Sequence, residues 1–296
     1  MAKLQYSFKN DILFKMLFVK NPDLLKSLVA VILNIPVESI TSFEILNPEM
    51  TPEHIKSKFC RLDINMRVND QQVNLEIQVN WEEHYPERTL FYWARDYSSA
   101  LAAGEDYSQL PRTIVASIVD FNLFDDSGEY RSFFQPLEVT RHTLLSDKMG
   151  FYFFELPKLP ETVNEDDPLL LWMSLFSADT EEKMDKIKKM EVPVMSKAIN
   201  AYRSITVSPE YLELERIRDK ALHDEATALL HAKNEGWEQG MKEGKEKGMK
   251  EGRKEGKNEG KAEVARNLLN MGLSFHQVIQ ATGLTQTEIE RIRLSL

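Results

Sequence analysis

Hydrophobic positions near the start of the chain recur at helical spacing. Asn10–Phe18 (NDILFKMLF) predicts a short amphipathic helix with Asn10 as its N-cap. Pro22–Leu33 predicts a second, with Asn21 as cap and Pro22 at its first position, ended by Asn34 and Pro36. A strand is expected near Ile40–Leu46, then a polar loop around Pro48–Pro52. From Arg61 the period changes to two. Leu62, Ile64, Met66 and Val68 share one face, while Arg61, Asp63, Asn65 and Arg67 share the other. After Asn69-Asp70 the alternation resumes, with Val73, Leu75, Ile77 and Val79 opposite Gln72, Asn74, Glu76, Gln78 and Asn80. Pro86–Ala103 reads as a long helix. Arg112–Phe121, Phe133–Val139 and Gly150–Leu156 read as strands rich in β-branched and aromatic residues. Pro168–His231 is mostly helical in pattern, with breaks near Ala178–Thr180, Val192–Pro193 and Ser208–Pro209.

Glycine then recurs at every fourth residue from Gly236 to Gly260, with Lys and Glu between, and seven of the twelve glycines of the chain lie there. Each costs a helix about 1 kcal/mol relative to Ala, so a flexible charged spacer is the favoured reading. The other is a helix whose small-residue stripe admits a second copy. A period of four exceeds 3.6 and favours right-handed winding, which would make the run an oligomerisation stalk. The tail has its own punctuation. Glu263–Met271 ends at Gly272, Ser274 caps a helix to Thr282 closed by Gly283, and Thr285 with Glu288 forms a capping box. This spacing resembles a helix-turn-helix.

Composition adds limits. With 42% hydrophobic and 28% charged residues, the 296-residue chain is ordinary for a soluble globular protein. No apolar run approaches the roughly 20 residues of a membrane span. The first residues lack the apolar stretch of a secretory leader, so no membrane association and a cytoplasmic location are expected. One cysteine, Cys60, excludes an internal disulfide framework and a CxxC zinc site, and fits a small buried hydrophobe. The net charge of −10 opposes non-specific nucleic-acid binding but leaves room for an acidic metal site with local basic rims.

The chemistry concentrates in the alternating pair. Asn69-Asp70 is a plausible two-residue hairpin loop. Val68 then faces Gln71, Asp63 faces Glu76, and Arg61 faces Gln78. A slip of one residue would set polar faces against apolar ones. Opposed residues have Cβ atoms about 4.5–5.5 Å apart, and like charges so placed destabilise a ladder. A divalent cation resolves the conflict, and Mg²⁺ suits a site of one or two carboxylates completed by water and phosphate. An amphipathic hairpin with a merely solvated polar face explains the same alternation. The six histidines show no metal spacing, and no phosphate-binding glycine loop follows a strand.

Asp63, twelve intervening residues and Glu76-Ile77-Gln78 resemble the Asp…Glu-x-Lys core of PD-(D/E)XK nucleases. Asn10–Lys15, Lys58, Arg61, the helix with Arg88, Tyr92 and Tyr97, and the strand Thr113–Phe121 resemble the Rpn family of recombination-promoting nucleases, also described as PD-(D/E)XK family transposases. The resemblance covers about residues 5–125 best, and the tail with Thr282-Gly283-Leu284 is similar as well. It implies an α/β restriction-endonuclease-like fold, a mixed central sheet flanked by helices, with a helical C-terminal extension. It also implies a metal-dependent DNA endonuclease associated with recombination or mobile DNA. Asp63 and Glu76 would hold Mg²⁺ with the backbone carbonyl of Ile77, and Gln78 would orient a water or phosphate oxygen. Gln78 stands where most of the superfamily has Lys. Lys15, Lys58 and Arg61 are the candidates for the missing charge, and Asp11 for a third acid.

Arg88 and Tyr92 are candidate contacts to double-stranded DNA, while most of the aromatic set Trp81, Phe91, Tyr92 and Trp93 is expected in the core. The expected organisation is a nuclease-like domain over residues 1–160, a helical subdomain over 161–234, the glycine run over 235–262 and the tail over 263–296. A homo-oligomer would form through the glycine run or the tail. The alternative function is a catalytically weak DNA-binding or scaffolding protein that keeps the fold, favoured by Gln78 and the acidic balance.

Overall fold

The computed structural model describes residues 3–50 and 63–295. Lys58, Cys60 and Arg61 lie outside the described residues. Two compact units are present, Met1–Ala221 and Leu222–Leu296.

The first unit is built on a six-stranded mixed sheet in the order β1-β2-β3-β4-β6-β5. Its strands are β1 (Phe43–Ile45), β2 (Ile64–Val68), β3 (Gln71–Gln78), β4 (Arg112–Val119), β5 (Arg131–Phe134) and β6 (Met149–Glu155). β3 pairs with β4 and β4 with β6 in parallel, and the other neighbours are antiparallel. The two parallel pairs sit in the middle of the sheet, and β4 is buried from Thr113 to Val119. A strand covered on both faces needs a near-continuous apolar run, which Ile114–Val119 supplies.

Helices cover the two faces unequally. α1 (Asp11–Lys20), α2 (Pro22–Ile32), α4 (Pro168–Ser177), α5 (Glu181–Lys188) and α6 (Pro193–Thr206) share one large core with Val73, Leu75, Ile114, Ala116 and Ile118. On the other face α3 (Tyr85–Ser99) contributes Tyr85 and Trp93 to a small core with Val115, Val119, Phe151 and Phe153. Asn10 caps α1 by accepting the amide of Leu13, while the Asn21 side chain bonds back to the carbonyl of Leu17 instead of capping α2.

Three expectations shift. α3 stops at Ser99 rather than continuing to Ala103, because the hydroxyls of Ser98 and Ser99 bond to the carbonyls of Arg95 and Asp96 and compete with the helix ladder. β5 starts at Arg131 and is finished by Phe134, since Pro136 cannot donate to a ladder. The glycine run is not a coil. It lies inside α7 (Pro209–Asn270), and its side of the helix is exposed from Ala226 to Gly260. The Lys and Glu residues between the glycines are good helix formers, and the helix continues from a first part anchored by the buried Tyr211 and Leu214.

The second unit ends in α8 (Phe275–Thr282) and α9 (Gln286–Leu294), which pack Val278 and Ile289 on Ala265 of α7. α9 begins with the capping box expected at Thr285 and Glu288, the expected cap Ser274 of α8 forms a box as well, with Gln277, and Gly283 closes α8 at φ 66°.

Candidate active site

The β2–β3 turn sets the register. Asn69 adopts φ 54°, a conformation that Asn tolerates, and its side chain accepts the amides of Thr41 and Ser42. Val68 faces Gln71 and Ile64 faces Leu75, so the same register continued by one residue would set Asp63, just before β2, across from Glu76. The polar faces of both strands then turn toward α3. Asp63, Asn65, Asn74 and Glu76 line a recess of about 380 Å³ together with Thr89, Tyr92, Arg95, Asp96 and Val115.

Each carboxylate is held by neutral donors. The Asn74 amide donates to Asp63 Oδ2 at 2.8 Å and to Asn65 Oδ1 at 2.7 Å, and the Asn47 amide donates to the Asp63 carbonyl at 3.0 Å. Glu76 Oε1 accepts the hydroxyl of Tyr85 at 2.5 Å and that of Ser117 at 3.1 Å. These donors relieve part of the repulsion between two opposed acids, so a cation is not the sole counterweight. Asp96 is half-buried, and burial pushes its carboxyl above the usual range against the opposing pull of Arg95.

A hard divalent cation fits this donor set. The Gln78 carbonyl accepts the amide of Asp120 on the β4 side, so strand alternation directs the Ile77 carbonyl toward β2, the side of Asp63. Two carboxylates and a carbonyl oxygen suit Mg²⁺, which keeps water and substrate phosphate as its remaining ligands. Among the described residues no group of three or more His, Cys, Asp or Glu side chains is gathered for a metal.

The remaining sequence candidates divide. Gln78 shares the face of Glu76, and its amide donates to the Asn80 carbonyl at 3.0 Å and to Glu82 at 2.9 Å. Arg88 reaches Gln78 Oε1 at 3.5 Å, pairs with Glu82 and lies over the Tyr85 ring. Tyr92 lines the recess, with Arg95 stacked over it at 4.8 Å. Asp11 is bonded to Arg218 of α7 at 3.0 Å and is not among the recess residues. Lys15 is buried in α1, which packs on the opposite face of the sheet. Trp81 and Phe91 are exposed, in contrast to the expectation. Only Trp93 turns inward, where its indole donates to the Thr113 carbonyl at 2.9 Å.

Tyr85, Asn74 and Ser117 were not singled out from sequence. Ser117 carried a usable signal: a lone hydroxyl inside an otherwise apolar strand needs a buried partner. Asn74 could have been read from its parity with Glu76.

A mixed sheet flanked by helices, with Asp63 just before β2 and Glu76 on β3 lining one recess, defines a restriction-endonuclease-like PD-(D/E)XK protein. Residues 8–232 match the model of the PD-(D/E)XK nuclease family transposase, and the chain belongs to that family. Residues 258–294 match the C-terminal HTH domain of the Rpn/YhgA-like nuclease family. No curated protein and no solved structure matched the chain. Membership makes this a protein of a nuclease family linked to mobile DNA.

Proposed function

We propose that the chain is a Mg²⁺-dependent endonuclease that hydrolyses phosphodiester bonds of double-stranded DNA in recombination or in the movement of mobile DNA. The observation that supports this reading most strongly is the recess on the α3 side of the sheet, which Asp63 and Glu76 line together. In this reading Asp63, Glu76 and the Ile77 carbonyl hold the cation. When bound, Mg²⁺ supplies Lewis-acid charge and acidifies water. The protein side of the chemistry is orientation. Asn74 fixes the Asp63 carboxylate, Tyr85 and Ser117 fix Glu76, and Gln78 orients a water or phosphate oxygen. Arg88 and Tyr92, both on α3, meet the DNA backbone.

The tail is a second DNA-contacting element in this proposal, and α7 or the tail mediates a homo-oligomer. Among the described residues no helix is long and apolar enough to cross a membrane, and a cytoplasmic location is part of the same proposal.

One observation favours a second reading, a catalytically weak DNA-binding or scaffolding protein. Gln78 brings no charge, and its amide is already engaged by Asn80 and Glu82. Supercoiled-plasmid cleavage decides between the two. The nuclease reading expects nicking that needs Mg²⁺, stops with EDTA and falls to background in Asp63→Ala and Glu76→Ala. Salt-dependent DNA binding by folded protein, with no cleavage under any divalent metal, would establish the second.

A further inference from the structure

We propose that Arg88 supplies the positive charge that β3 lacks at Gln78, by contacting the non-bridging oxygens of the scissile phosphate. This assignment rests on the nuclease reading. It begins from an anion that the site already holds. The Glu82 carboxylate is gripped from two sides, by the Arg88 guanidinium and by the Gln78 amide at 2.9 Å. A cation and a neutral N–H donor converging on one carboxylate form the donor set that a phosphate needs, and the planar guanidinium fork matches either anion. Glu82 is the internal stand-in for that phosphate.

The subsite is tied to the acidic pair by Tyr85. The Arg88 guanidinium lies 4.7 Å from the centre of the Tyr85 ring, and the hydroxyl of the same ring donates to Glu76 at 2.5 Å. One buried side chain therefore fixes a carboxylate at its tip and a cation over its face. Arg88 Nη2 also lies 3.5 Å from Gln78 Oε1, so the charge is present at the end of side chain 78 although residue 78 does not carry it. The Arg88 side chain keeps 21% exposure and the Glu82 side chain 45%. The Glu82 end of the pair is the more open to water, and there an incoming phosphate can compete for the guanidinium. Glu82 then acts as a resting partner that substrate displaces.

The test uses the full chain, supercoiled plasmid and Mg²⁺, with kcat and KM measured separately and near-UV circular dichroism as the folding control. Arg88→Ala, and Arg88→Met as the version that keeps the packing over Tyr85, are expected to lose on the order of 100- to 1000-fold in kcat, the scale of losing one charge-stabilising donor. KM should change far less. Adding Gln78→Lys to either variant should restore at least tenfold of the loss, because it returns the charge from β3. Glu82→Gln should lower KM by removing the competing anion. Arg88→Met that cleaves like the parent would overturn the assignment. So would a folded, inactive Arg88→Met that Gln78→Lys cannot rescue, since Arg88 would then be structural only. A parent protein that never cleaves removes the nuclease reading itself, and this assignment with it.

Discussion

Replacing Tyr85 by Phe removes one hydroxyl and keeps the ring. That ring is fully buried, with centroids 5.8 Å from Phe121 and 6.4 Å from Phe153, and those contacts survive the change. What disappears is the 2.5 Å bond to Glu76 Oε1. A hydrogen bond to a charged group contributes about 1.5–3 kcal/mol, and the Ser117 hydroxyl at 3.1 Å still holds the same oxygen. The expected loss of stability is therefore at the low end, about 1–2 kcal/mol. Loss of a group that orients a metal ligand typically weakens metal affinity or activity by about 10–100-fold. A factor of ten corresponds to about 1.4 kcal/mol, so the two scales agree. The assay is plasmid cleavage titrated with Mg²⁺, run beside a urea melt followed by tryptophan fluorescence. Tyr85→Phe should raise the half-maximal Mg²⁺ concentration at least tenfold while leaving cleavage at saturating Mg²⁺ within a few-fold of the parent. A midpoint unchanged within twofold in the folded variant would refute the idea that Tyr85 positions Glu76.

Other outcomes follow from the same structure. Glu155 is 1% exposed, accepts the amides of Leu123 and Phe124 and pairs with Lys158, so Glu155→Ala should cost about 3–5 kcal/mol in a urea melt by stranding a buried cation and two amides. Burial raises the Glu215 carboxyl above its ordinary range, with Asp219 and Asp11 adding to the shift and the Asn10 amide opposing it. Stability therefore falls as pH rises through the folded-state value, and is not penalised below the unfolded one. Glu215→Gln should melt higher than the parent at neutral pH, and the gap should close toward pH 4. At Gly240, Gly244 and Gly248 an added methyl group meets nothing within 4 Å. Each change to Ala should strengthen α7 by about 1 kcal/mol, seen as later loss of helical circular dichroism on heating.

Much of the fold was legible because local rules and burial agreed. The two-residue loop at Asn69-Asp70 and the strict alternation beside it fix the register of β2 and β3. The helix breaks at Ala178–Thr180, Val192–Pro193 and Ser208–Pro209 fall between α4, α5, α6 and α7 as the pattern implies. The strand order was not legible, because parallel pairing joins segments far apart in the chain and leaves no local mark. At the site, Asp63 and Glu76 announce themselves by parity, whereas Tyr85 reaches Glu76 only through the docking of α3 on the sheet. The glycine run is harder to read, because residue-by-residue propensity opposes a helix there while α7 continues from turns already anchored by Tyr211 and Leu214. Trp81 and Phe91 were assigned inward on hydrophobicity alone, which large aromatic residues near a surface site need not obey.

The parallel centre of the sheet also imposes an order on assembly. The β2–β3 hairpin closes through a tight turn, an event of microseconds in isolated hairpins. Ser117, by contrast, lies 41 residues from the carboxylate it serves, and its strand meets β3 only after the long crossover through α3. Loop-closure entropy puts such pairings late. The two acids are therefore brought near each other in the nascent chain before the Ser117 hydroxyl that helps steady Glu76 has arrived. Until β4 docks, their mutual repulsion works against the hairpin, and a divalent cation would favour the early intermediate as well as the finished protein. Pulse-labelling hydrogen exchange during refolding, with and without Mg²⁺, would register this as earlier protection of the β2–β3 amides in the presence of the ion.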